Sequence, residues 1–228
     1  MTSHPDISSP RFWDRLSPDG REAVQRAAVE RRHRRGAALF REGDTTDSVI
    51  ILVEGQLKLT KLSLDGREVI LELRGPGDIL GELAAVDGAP RSATGAFISN
   101  GRALHLTSAD FNRLVDDEPS VASATLRTVA QRVRESSNRQ LEMGTTDAMA
   151  RVCSRLLQLM SEAVEEDDGS LTVKSPLSQQ ELADWAGVSR DAVVRSLKNA
   201  RDAGWLVTGR QTFTVSDLDA LRSHATGN

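Results

Sequence analysis

Residues Gly75 to Gly95 read GPGDILGELAAVDGAPRSATG. Turn-forming Gly, Pro and Asp cluster at both ends, in RGPGDILG and DGAPRS. Between them lies Gly81–Glu82, and Arg91–Ser92 follows nine positions later. A carboxylate and a guanidinium so close, in a segment with few other charges, fit one of two arrangements. One is a surface salt bridge. The other is a small polar pocket for a ligand that carries hydroxyls and a negative charge.

The flanks favour a strand-rich lobe. SVIILVEGQLKLTKL reads as a strand, a turn at Glu54–Gly55 and a second strand with alternating Leu57, Lys58, Leu59. SLDGREVILEL places Asp65–Gly66, a two-residue hairpin signal, between strand-like runs. Many short strands at close spacing predict an antiparallel sandwich or small barrel. After Leu106 the glycines thin out and helical periodicity begins. Thr107 or Ser108 caps a short helix, and Pro119 opens a longer one. On that helix Leu126, Val129, Ala130, Val133, Ser137, Gln140 and Met143–Gly144 fall near one face. This stripe fits a surface helix packed on its own domain, or a two-helix seam between subunits.

Composition bounds the function. The 228 residues suit one large domain or two modest ones, and no apolar run reaches the roughly 18 residues a bilayer requires. MTSHPDISSPRFWDRL lacks the pattern of a secretory leader, so the expected location is cytoplasmic, with no membrane partner. Cys153 is the only cysteine, which rules out an intrachain disulfide and argues against an iron–sulfur cluster or structural zinc. His4, His33, His105 and His224 lack metal-ligand spacing and read as ordinary residues, His33 within the basic run ERRHRR. No metal is expected. With a net charge of −4, any binding to DNA must use a local patch.

The last third supplies such a patch. DAMARVCSRLLQLM is an amphipathic helix, followed by the acidic loop EEDDGS. LSQQELADWAG is a short helix with Ser178 as N-cap, Glu181 completing a capping box and Gly187 as the stop. VSRDAVVRSLKNARDAG is a second helix, capped by Ser189 and ended by Gly204. WLVTGRQTFTVSD then reads as a hairpin turning near Gly209, a wing. Two short capped helices joined by GVS predict a helix-turn-helix. Residues near the N-terminus of its second helix reach base edges in the major groove. The candidates are Arg190, Asp191 and Arg195, with Ser189 and Lys198 toward phosphate and Arg190 and Arg195 expected on one face. Ser178 and Gln179, at the start of the first helix, are further DNA-binding candidates, and Arg201 faces phosphate or solvent.

At this point the chain, from about Ser17 to Leu221, resembles the cyclic-AMP receptor protein and fumarate–nitrate regulator (Crp/Fnr) family of bacterial transcription factors. LFREGDTTDSVIILVEGQLKL is similar to the family's opening β-roll segment. GPGDILGELAAVDGAPRSATG is similar to its phosphate-binding cassette, and LSQQELADWAGVSRDAVVRSLKNARDAGWL to its DNA-reading helices. The resemblance implies an α+β protein: a cyclic-nucleotide-binding β-roll (jelly roll) over 1–118, a dimerisation helix over 119–144 and a winged helix-turn-helix over 145–228. It implies cyclic AMP as effector, with Arg91 on the phosphate, Ser92 and the amides near Leu83 and Ala84 beside it, and Glu82 on the ribose hydroxyl. Gly81 would allow close approach, and Ser136 and Ser137 would meet the base. It also implies a homodimer, double-stranded DNA and RNA polymerase as partners, and an interdomain hinge at Gly144–Asp147. The first base-facing hydroxyl is Ser136 where the best-known activator has Thr, and Asp191 and Ala192 replace a Glu and a polar residue of the reading helix. Other effectors open to the same scaffold are cyclic GMP and 2-oxoglutarate, or no ligand at all. No nucleophile–base pair or nucleotide-hydrolysing loop points to an enzyme.

Overall fold

The run Val49–Leu52 is apolar at every position, which suits a strand covered on both faces. The computed structural model, which describes residues 10–45, 47–64 and 66–226, places it in that environment. Val49 and Ile51 pack with Phe12, Val24, Phe111 and Val121 under the helices, whereas Ile50 and Leu52 pack with Phe40, Leu57, Phe97 and Ala103 between two sheets.

The chain divides into two units, Pro10–Ser136 and, among the described residues, 137–226. The first opens with a 3₁₀ turn (Trp13–Arg15) and α1 (Pro18–Ala27), which Ser17 caps by accepting from the Gly20 amide. Strands β1 (Val29–His33), β2 (Ala38–Phe40), β3 (Val49–Glu54), β4 (Leu57–Leu62), β5 (Glu68–Arg74) and β6 (Ile79–Leu80) lead to the short α2 (Glu82–Asp87). Then come β7 (Thr94–Phe97), β8 (Gly101–Leu106), α3 (Ser108–Asp117) and α4 (Pro119–Thr145). The eight strands form two four-stranded antiparallel sheets, β1-β8-β3-β6 and β2-β7-β4-β5. Glu54–Gly55 is a turn, as expected, but β3 and β4 lie in different sheets, so the chain crosses between layers there. Gly55 sits at φ +86°, where a Cβ would stand 2.5 Å from the Asn100 carbonyl.

One expectation changes. The β4–β5 hairpin exists, but its last pair is Leu62↔Glu68, so the connection spans residues 63–67 rather than two. The Ser63 hydroxyl closes this wider loop, donating to the Arg67 carbonyl at 2.9 Å and accepting from its amide at 3.1 Å. Asp65 of the expected turn lies outside the described residues, as do His4 and the first nine residues. The basic run around His33, to which the sequence assigned no element, is a strand: β1 pairs along β8 from Val29↔His105 to His33↔Gly101. The His33 Nε2 stands 3.0 Å from His105 Nε2, and its ring stacks on Phe97.

The second unit holds the end of α4, α5 (Ala148–Met160), β9 (Val164–Glu165), β10 (Leu171–Lys174), α6 (Gln179–Ala186), α7 (Arg190–Asp202), β11 (Leu206–Gly209), β12 (Thr212–Val215) and α8 (Leu218–Thr226). Its sheet has the order β11-β12-β10-β9. Cys153 is buried on α5, and burial pushes its thiol up to about 12. The division between the units falls within α4, two turns before the Gly144–Asp147 link expected as a hinge.

On α4 the inner stripe is Val121, Ala124, Thr125 and Thr128. Leu126, Val133, Leu141 and Met143 are each more than 60% exposed, while Val129 and Ala130 are half-buried. One stripe therefore packs on its own domain, as the first of the two helix readings expects, and another is exposed.

Candidate functional site

Three of the cassette residues converge. Gly81 precedes α2 at φ +82°, and a Cβ placed there would lie 1.8 Å from Arg91 Nη1 and 2.8 Å from the Ser48 carbonyl. Only glycine allows the guanidinium to lie so close to the backbone. Arg91 is 3% exposed. Its Nη2 donates to the Ser48 carbonyl and, at 3.0 Å, to the Ser48 hydroxyl, and its Cζ is 4.6 Å from the Phe40 ring centroid. The Arg91 amide donates to the Asp44 carbonyl, and the Gly43 amide to the Arg91 carbonyl, both at 2.9 Å. The Gly43–Asp44 turn thus fixes the arginine backbone. Burial lowers the guanidinium from its ordinary value, while Glu82 and Asp44 pull it up.

Glu82 is 1% exposed. Its Oε1 accepts from Arg132 of α4, which also donates to the Ile79 carbonyl. Its Oε2 is buried with no hydrogen-bond partner. A buried carboxylate oxygen without a donor is costly, and a ligand hydroxyl would satisfy it. The first amide bonded within α2 is that of Ala85, to the Gly81 carbonyl at 3.1 Å. The Leu83 and Ala84 amides lie in the unbonded first turn, with the Leu83 side chain exposed. Ser92, Ser136 and Ser137 are all exposed, the last two a turn beyond Arg132 on α4. Sequence reading missed Arg132 and Ser48. Arg132 is 50 positions from Glu82, and its one clue was its place a turn before Ser136 on the arginine-rich helix.

The second group is the helix pair of the other unit. Ser178 accepts from the Glu181 amide at 3.1 Å, while the Glu181 carboxylate accepts from the Ser178 amide at 2.9 Å. This completes the expected capping box and engages the Ser178 hydroxyl. Gln179 is exposed beside it. Gly187 turns the chain at φ +64°, and Ser189 caps α7 by accepting from the Ala192 amide at 3.2 Å. Ala192, Val193, Ser196, Leu197 and Ala200 face inward. Arg190, Asp191, Arg195 and Lys198 are exposed. Arg190 lies about 140° around the helix from Arg195, so the outward stripe is Asp191–Arg195–Lys198, with Arg190 at its edge rather than on the same face. Arg201 is exposed and donates to the Thr208 hydroxyl at 3.0 Å, which ties α7 to the β11–β12 hairpin. The hairpin turns at Arg210–Gln211, where Gln211 takes φ 59°.

Comparison with known proteins agrees with this division. Residues 30–118 match the cyclic nucleotide-binding domain, and residues 150–224 the Crp-like helix-turn-helix domain. The "CRP-like cAMP-activated global transcriptional regulator" of Mycobacterium tuberculosis is 31% identical over 191 residues, covering 84% of this chain and 85% of that one. The "Cyclic AMP receptor protein" of Thermus thermophilus is 28% identical over 222 residues, 96% of this chain and 98% of that one. The c-di-GMP responsive regulator CLP of Xanthomonas campestris shares the fold, with a TM-score of 0.74 at 20% identity, covering 88% of this chain and 100% of that one. Fold, cassette and helix pair together define a DNA-binding transcription regulator with a cyclic nucleotide-binding domain. The chain belongs to the Crp/Fnr family.

Proposed function

We propose that this protein is a homodimeric, non-enzymatic transcription regulator of the cytoplasm whose affinity for double-stranded DNA is set by cyclic AMP. The observation that carries the effector reading is the pairing of two buried, oppositely charged side chains beside one glycine. Arg91 offers a guanidinium for the phosphate, and Glu82 a carboxylate oxygen that lacks a donor for the ribose hydroxyl. Ser92 and the first-turn amides of α2 add donors to the phosphate, and Ser136 and Ser137 meet the base, one from each subunit. The exposed Leu126–Val133 stripe of α4 forms the subunit seam.

Paired α4 helices set the two α7 helices to successive major grooves, about 34 Å apart. The effector shifts that arrangement only by its difference in affinity for the two states. Bound DNA positions the regulator against RNA polymerase. Asp191 and Arg195 read base edges, Arg190, Ser189 and Lys198 hold phosphate, and Ser178 and Gln179 open α6 beside the backbone, which Gln179 approaches through its side-chain amide.

The test is a DNA titration with and without cyclic AMP, beside calorimetry against cyclic AMP, cyclic GMP and 2-oxoglutarate. Arg91→Ala should lose cyclic AMP binding by at least about a hundredfold while keeping its far-ultraviolet circular dichroism. Full affinity in that variant would place the phosphate elsewhere, and tighter binding of another compound would replace the effector.

A further inference from the structure

The junction of α4 and α5 is short and heavily bonded. α4 ends at Thr145 and α5 begins at Ala148. The Thr145 and Thr146 hydroxyls donate back to the Leu141 and Glu142 carbonyls at 2.9 and 2.7 Å, and Asp147 caps α5 through the Ala150 amide at 2.8 Å. Beneath this junction Arg155 of α5 is 2% exposed. Its Nη2 donates to Glu142 on the last turns of α4, and its Cζ stands 5.7 Å from the ring centroid of Trp185 on α6. Arg151 donates to the Met143 carbonyl at 3.3 Å. The Met143 methyl reaches to 3.9 Å from where a Cβ would stand on Gly187, the turn between α6 and α7.

Stability does not account for this cluster. Replacing a buried ion pair by apolar side chains is often neutral or stabilising. Moreover, Arg155 Nε and Trp185 Nε1 are both buried without a hydrogen-bond partner, a cost that a purely structural core would avoid. What the cluster supplies is a defined geometry. It joins the end of α4, the start of the DNA-binding unit and the helix that supports α7.

We propose that Glu142, Arg155 and Trp185 form a latch that makes the last two turns of α4 move as one body with the helix-turn-helix. Arg155 is then a positioning residue, through which a change in α4 reaches α7 without passing through a flexible Gly144–Asp147 hinge. The effector that sets α4 is the one proposed above, and to that extent the latch rests on that reading.

The test uses the full-length protein with Arg155→Met, the milder Glu142→Gln, and the double variant Arg155→Met/Glu142→Leu, which leaves neither charge unpaired. Hydrogen exchange is read first, without effector. In the native protein, residues 137–145 should be as protected as α5, whereas in Arg155→Met they should exchange at least about tenfold faster, with 119–130 unchanged. DNA affinity is then measured with and without cyclic AMP. The enhancement should fall to within about twofold of unity in the double variant, even though its Tm recovers and its cyclic AMP affinity stays within about threefold of native. Unchanged exchange over 137–145 in both single variants would overturn the latch, and so would full enhancement in the double variant. A native protein whose DNA affinity ignores cyclic AMP would instead overturn the effector reading, and exchange alone would then decide the latch.

Discussion

At the scale of single residues, the pocket depends on a place where a side chain is forbidden. Gly81→Ala puts a methyl at positive φ and against the Arg91 guanidinium, so the arginine must swing away or α2 must shift. Expected outcomes are a loss of about 2–4 kcal/mol in stability, read by thermal melting, and loss of nucleotide binding. Retained affinity would mean that the close approach of Arg91 to residue 81 is not required. The His33–His105 pair gives a second prediction. Burial first, then the neighbouring His33 and Arg31, lower His105 to about 4. Because the unfolded chain titrates near 6.5, it binds more protons than the folded chain between these values. Stability is therefore complete above about pH 6.5 and is lost as pH falls toward 4. Tm should drop by about 3–8 °C across that window, and the non-titrating His105→Gln should lose less. Equal loss in both proteins would assign the effect to other groups.

At the scale of elements, what could be read from the sequence was what local bonding decides. The helix pair was legible almost to the residue because Ser178, Glu181, Gly187 and Ser189 act within three or four positions of themselves. β1 was not, since VERRH is a sheet-edge strand with four exposed side chains and no apolar alternation. The connection of β3 to β4 looked like any turn, because a change of sheet leaves no local mark beyond Gly55. Within the pocket, Gly81, Glu82 and Arg91 were legible through their spacing. Arg132 was not, because only the tertiary fold brings α4 to α2. The open stripe of α4 carries its own prediction. If α4 pairs as proposed, Val133→Glu should convert the proposed dimer to a single-chain species in sedimentation at micromolar concentration, with helix content unchanged. A variant that still sedimented as a dimer would move the seam off this stripe.

At the scale of the whole molecule, the charge of −4 means that attraction to DNA must come from a local patch, which the proposed function puts on α7 and its surroundings. Arg195→Ala should weaken binding to the preferred site by about 1–3 kcal/mol in titrations at fixed salt while barely changing affinity for random DNA. An equal loss on both would make Arg195 a phosphate contact. The second unit also contains a thiol pushed to about 12 and sealed within α5. Because the thiolate is the form that reacts, peroxide and disulfide reagents meet almost none of it at neutral pH.

The Glu82 carboxylate has a further consequence for the ensemble of states. One oxygen accepts from Arg132 and the other accepts no hydrogen bond, so the sugar of the proposed effector need not evict the helix to dock. Tethering and docking can coexist on one side chain, which favours graded tightening of a partly assembled switch over all-or-none assembly from loose parts.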